Sequence, residues 1–221
     1  MNGLVFCKKV YALFEYIRIT TDGVSKLRLR SGQTEKKLIE ELIPIARYIQ
    51  ARYSQGRRLK VRWINGNQQY DACLLSSGPL VDRQPDLKRQ YLEVTTAVHE
   101  NDHILRRIID KNGHAFSVKG IVPGSKAKKA TSSPYVYSNN EPQEDLAGKL
   151  LERIRCKSAI RYPTGTILVI QCFLDTMFLE DEWNDAIERV KGACVEHRFQ
   201  EVFIFDSNHH YSATIYGSRG Q

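Results

Sequence analysis

The sequence predicts an α/β protein with a mixed central sheet flanked by helices, and three observations carry that expectation. The segment Leu59–Ile64 alternates apolar and polar positions as a half-buried strand does. Two later runs, Thr166–Phe173 and Glu201–Phe205, are almost continuously apolar, the pattern of strands covered on both faces. Helix-like periodicity lies between and around these strands, so the sheet is expected to be covered by helices. A length of 221 residues with 42% hydrophobic composition suffices for one such domain over 1–221.

Residues 4–19 fit a helix or a strand. In Leu38–Ile49 the apolar positions 38, 42, 45, 46 and 49 form one helical face, with Thr34 as N-cap and Pro44 as a source of a kink. After strand 59–64, Asn65-Gly66-Asn67 is a turn signal and Tyr70–Leu75 a partner strand. A loop containing Gly78, Pro79 and Pro85 leads to a strand at Tyr91–Val98. A helix is expected from His99 to Lys111, striped by residues 104, 105, 108 and 109 and closed by Asn112-Gly113.

Phe116–Val122 reads as a short strand, and residues 123–144 as a long aperiodic loop whose Lys126-Ala-Lys-Lys129 suits a phosphate contact. Helices near 145–160 and 181–195 alternate with the two apolar strands, and Tyr211–Tyr216 forms an edge strand after a polar turn at His209-His210.

Of the net charge of +8, residues 1–130 hold 24 Lys/Arg against 12 Asp/Glu, and residues 131–221 hold 9 against 13. A basic first part is what a surface facing a polyanion produces, so nucleic acid is the expected partner. Cys7, Cys73, Cys156, Cys172 and Cys194 are scattered, with no Cys-x-x-Cys pair, which argues against a disulfide framework or a thiolate zinc site. No stretch approaches the roughly 18 apolar residues of a membrane span, so a cytoplasmic protein without membrane contact is expected. Trp63 and Trp183 are read as packing residues.

Two chemical readings overlap at Tyr91–His103. In the first, Asp71 at the start of one strand and Glu93 in the next place two carboxylates within reach of one divalent ion. Hard oxygen ligands suit Mg or Mn, which can activate water for phosphodiester cleavage. Glu93, between Leu92 and Val94, is expensive to bury unless paired or metal-bound. Glu41 lies about 100° from the centre of its helix's apolar face, nearer than Glu40 at about 160°, and is the better additional carboxylate.

The order of helix, hairpin with Asp71, strand with Glu93-Val-Thr95 and helix resembles the restriction-endonuclease-like, or PD-(D/E)xK, superfamily. The resemblance covers about 34–122, with 145–221 as a C-terminal αβαβ extension. It implies a restriction-endonuclease-like core, Mg-dependent nuclease activity, and metal ligation by Asp71 and Glu93. Two positions depart from the motif: Thr95 replaces its lysine, and Tyr70 stands before Asp71 in place of proline. Thr95 can hold a water but supplies no positive charge to the attacked phosphate. A relocated cation would be Lys157 or Lys60. Members of the superfamily can also lose activity, so a non-enzymatic nucleic-acid-binding or protein-interaction module on the same fold is the alternative.

In the second reading His99-Glu100-Asn101-Asp102-His103 matches H-E-x-x-H, which on a helix presents two imidazoles to zinc as a metallopeptidase does. Asn101 and Asp102 are polar where such helices are apolar, and the wheel turns His99 and His103 away from the apolar stripe. Glu141 and Glu144 are the conceivable third ligands, and zinc is the less favoured metal.

Overall fold

One six-stranded sheet organises the chain, its strands in spatial order being β1 (Arg58–Trp63), β2 (Ala72–Ser77), β3 (Arg89–Ala97), β6 (Thr166–Cys172), β7 (Glu201–Asp206) and β8 (Ser212–Tyr216). A computed structural model describes residues 1–66, 68–124, 129–174, 176–177, 179–193, 196–209 and 211–217. Asn67 of the expected turn, Lys126 and Lys128 of the basic loop, Cys194 and His210 lie outside these residues.

The N-terminal segment is helix α1 (Gly3–Arg18), capped by the Asn2 side chain, which accepts from Leu4 and Val5 N–H. Buried Gly3, Phe6, Cys7, Val10 and Ile17 fall on one helical face at positions 3, 6, 7, 10 and 17, so lysines 8 and 9 fall between core positions and do not interrupt them. Helix α2 (Gly23–Leu29) follows.

The next helix starts earlier than expected, α3 (Gln33–Lys37) with Gly32 at the N-cap in place of Thr34. It passes through a π turn at Leu38–Leu42 into α4 (Ile43–Ala51). The cause is Pro44: its missing N–H and its ring are incompatible with a regular bond to the carbonyl four residues back, and a widened turn accommodates both.

Strands β1 (Arg58–Trp63), β2 (Ala72–Ser77) and β3 (Arg89–Ala97) form an antiparallel meander. The β1–β2 connection spans 64–71, longer than the two-residue hairpin that Asn65-Gly66 signals, and the bond from Ile64 N–H to Asp71 O (2.8 Å) closes it. Helix α5 (Pro79–Arg83) lies between β2 and β3.

After β3, helix α6 spans Asp102–Asn112 and ends at Gly113 with φ +79, a left-handed C-cap. The strand expected at Phe116–Val122 is mostly absent. Residues Val118–Gly120 form a 3-10 turn, and only β4 (Ile121–Val122) pairs, with β5 (Thr131–Ser132).

Helix α7 (Glu141–Ser158) then leads to β6 (Thr166–Cys172), parallel to β3. Helix α8 (Glu180–Gly192) leads to β7 (Glu201–Asp206), parallel to β6, and β8 (Ser212–Tyr216) pairs antiparallel at the edge. Every residue of β6 and β7 is buried, as their continuous apolar runs require. One face of the sheet packs against α1 and α4 through Ile45, Ile49, Leu74, Leu92 and Val169; the other packs against α7 and α8 through Leu150, Ile154, Leu168, Ile170 and Ile204. Among the described residues no helix is long and apolar enough to cross a membrane.

Candidate functional site

The sheet is notched where its strands end unevenly. The β2–β3 ladder stops at Ala72–Leu92, while β3 continues to Ala97 with β6 alone beside it. Asp71 sits at the corner of this notch, just before β2. Its backbone N–H donates to Leu92 O (2.7 Å) and its Oδ2 accepts from Val94 N–H (2.7 Å). Asp71 is therefore anchored to β3 on both sides of Glu93, by its backbone at Leu92 and by its carboxylate at Val94.

Glu93 is buried, with 8% exposure. Its neighbours Leu92 and Val94 belong to the core under α1 and α4, so strand alternation turns Glu93 to the α7 face. There Lys157, in the last turn of α7, donates from Nζ to Glu93 Oε1 at 2.6 Å. Tyr162, between α7 and β6, adds a phenol to the same carboxylate, and burial together with the negative charges of Glu93 and Asp71 pushes that phenol's pKa upward. Tyr162 was not predicted from the sequence. The one available signal was its place five residues after Lys157, on the segment that connects the basic helix end to a central strand.

Glu41 enters from the opposite helical layer. It lies in the π turn, and its Oε2 accepts from Trp63 Nε1 (3.0 Å) at the end of β1. Glu40 is turned aside and pairs with Arg30 at 2.5 Å. Lys60 is exposed in the middle of β1 opposite Leu75 and is not brought to the notch. Thr95 is half-buried on β3 two residues beyond Glu93, and alternation gives both side chains the same face.

Electrostatics tie the groups together. Burial, then the neighbouring charges of Glu93 and Glu41, raise the pKa of Asp71 to about 6, against the lowering effects of the Val94 N–H bond and Lys157. Desolvated carboxylates that repel one another are what a divalent cation relieves. Asp71 and Glu93 supply hard oxygens suited to Mg or Mn, with Glu41 within electrostatic reach. Among the described residues no group of three or more His, Cys, Asp and Glu could hold a metal ion. Lys157 already neutralises Glu93.

The histidines fall elsewhere. Helix α6 begins at Asp102, not His99, so the two imidazoles do not stand one turn apart on a helix. His99 Nδ1 accepts from Asn101 N–H (3.1 Å), and His103 Nδ1 lies 2.9 Å from Glu100 O. Glu141 and Glu144, the conceivable third ligands, bind Lys119 and Arg189 respectively. Trp183 is buried in the α8 core and Trp63 is half-buried over Glu41. No protein-family model, curated protein or solved structure matches the chain.

Proposed function

We propose that the chain is a divalent-metal-dependent nuclease with a restriction-endonuclease-like core, acting on nucleic acid at the notch between β2 and β3. The observation that carries this reading is the convergence of Lys157 on Glu93, 2.6 Å apart, beside the carboxylate of Asp71. Support also comes from the order of elements: α4, the β1–β2–β3 meander, α7, and β6 parallel to β3.

Asp71 and Glu93 would hold Mg or Mn, which when bound lowers the pKa of water and offsets phosphate charge. Asp71 is kept in position by the Val94 N–H, so its carboxylate is preorganised for this task. Lys157 supplies from α7 the positive charge that Thr95 cannot supply from β3. Thr95 presents a hydroxyl on the Glu93 face that can orient water. Glu41, held by Trp63, adds negative charge that Asp71 feels.

The decisive experiment is cleavage of labelled single- and double-stranded DNA and RNA in Mg²⁺ or Mn²⁺, with Asp71→Asn, Glu93→Gln and Lys157→Ala alongside. Metal-dependent cleavage by the wild type, lost in all three folded variants, supports the reading; cleavage retained in Asp71→Asn and Glu93→Gln refutes it. A non-cleaving nucleic-acid-binding module is the second reading, favoured by the full pairing of Glu93 with Lys157 and Tyr162. It expects salt-sensitive binding without cleavage in either metal.

A further inference from the structure

A second feature of the chain lies at the opposite end of β3, where the strand begins. A cleft of about 1280 Å³ opens there between the β1 entry, the β2–β3 connection and the starts of β6 and β7. Its wall includes Arg57, only 7% exposed. The guanidinium donates from Nε to Ser76 Oγ (3.2 Å) and from Nη2 to Gln90 Oε1 (2.7 Å), both neutral acceptors. Nη1 has no hydrogen-bond partner among the described residues, and Arg57 makes no ion pair with a carboxylate there. Burial pulls its pKa down, with only the more remote charges of Tyr48 and Glu201 opposing.

A buried guanidinium held by neutral groups is costly unless an anion completes it. The backbone around it is built for that position. Gly78 has φ +115, and a Cβ there would lie 2.4 Å from Gly56 O, so the loop after β2 closes directly onto the turn that presents Arg57. The cleft also exposes Lys88, Arg89 and Arg198, while Arg52 and Glu201 neutralise one another (3.2 Å). Asp86 is the other carboxylate in the lining. Aromatic surfaces stand beside the cations: Tyr53, 56% exposed, Tyr216, 70% exposed, and the half-buried rings of Tyr162 and His197.

We infer that this cleft binds the phosphate of a nucleotide, with the Arg57 fork as the anchor, the surrounding cations neutralising further charge and the aromatic side chains packing against the base. Arginine forks match phosphate oxygens two at a time, and nucleobases stack on aromatic rings irrespective of sequence. The phosphate belongs either to a free nucleotide or to the 5′ end of a strand. The inference stands apart from the cleavage reading, although Tyr162 touches both places by lining the cleft and bonding Glu93.

The test is calorimetric titration of the full chain, without divalent metal, with ADP and with a short oligonucleotide with or without a 5′ phosphate. Stoichiometric binding of ADP identifies a free nucleotide; binding of the oligonucleotide that depends on its 5′ phosphate identifies a strand end. Arg57→Met is expected to weaken either by more than about tenfold, since it removes the fork that would hold the phosphate. Should that variant fail to fold, Arg89→Ala with Arg198→Ala at the rim is expected to give about the same loss through reduced charge. Asp71→Asn, which abolishes cleavage under the preceding proposal, leaves this binding intact. Absence of binding by both probes at millimolar concentration, or undiminished binding by a folded Arg57→Met protein, overturns the inference.

Discussion

Lys157 and Glu93 hold one another across the contact between α7 and β3, with Nζ 2.6 Å from Oε1. The pair comes from positions 64 residues apart in the chain, and the glutamate is the more enclosed partner, its side chain 11% exposed against 26% for the lysine. Removing the lysine strands a buried carboxylate; removing both charges does not. Lys157→Met is therefore expected to cost about 3 kcal/mol of stability, and Glu93→Gln in the same chain to recover most of it. Denaturant titration of the two single variants and the double variant measures the coupling. Additive effects would show that the pair contributes no interaction of its own.

Asp71 gives a pH signature. Its folded pKa of about 6 lies above the ordinary aspartate value of 3.8, with burial as the main cause. Between these values the folded state binds a proton that the unfolded chain does not, so stability falls as pH rises through about 6 and is recovered below about 4. Asp71→Asn keeps an acceptor for Val94 N–H and abolishes the titration. It is expected to stabilise the protein above pH 6 by on the order of 1–2 kcal/mol, discounted for partial solvent screening, and to have little effect near pH 4. In the metal-binding reading the same proton competes with the cation, so affinity for Mn²⁺ falls below about pH 6. Melting curves of both proteins from pH 4 to 8 and Mn²⁺ titrations across that range check the two statements.

The parts of this fold legible in the sequence are those governed by local periodicity. The apolar runs of β6 and β7 and the alternation of β1 declare their environments directly, because covered strands and half-covered strands need different side chains. Pro44 announced a disturbance, though not that the chain would meet it with a π turn. Phe116–Val122 misled because its apolar residues suggested a strand. Gly120 instead packs so closely that a Cβ would sit 2.0 Å from Ser133 O, a constraint set by residues more distant in sequence. Residues Asp71, Glu93 and Glu41 could be nominated from strand and helix position, but nothing local distinguished Lys157 from Lys60. That choice depends on where the end of α7 lands on β3. Tyr162 was invisible for the same reason.

The H-E-x-x-H spelling does not present its two imidazoles from one helical turn, since α6 starts three residues after His99 and both imidazoles engage nearby backbone groups. Zinc content of purified protein is expected to be the same for wild type, His99→Ala and His103→Ala. One equivalent of zinc in the wild type, lost in either variant, would contradict this.

Thr95 and Lys157 offer the sharpest test of a relocated cation. Both approach the Glu93 face, one along β3 and the other from α7, so a lysine at 95 can bring its ammonium to the region that Lys157 now serves. A lysine side chain spans the two-residue offset along the strand, roughly 6.6 Å. If positive charge beside Glu93 is what Lys157 provides, Lys157→Ala is expected to lower metal-dependent cleavage by about 10²-fold, and Thr95→Lys in that background to restore at least part of it. Thr95→Lys alone crowds two ammonium groups against one carboxylate, so it is expected to gain no rate. Cleavage rates of the four chains, each checked for folding by its melting transition, decide the matter. Rescue in the double variant assigns the charge to the site rather than to one position. If Lys157→Ala cleaves as well as wild type, Lys157 is an ion-pair partner that holds α7 to β3 and nothing more.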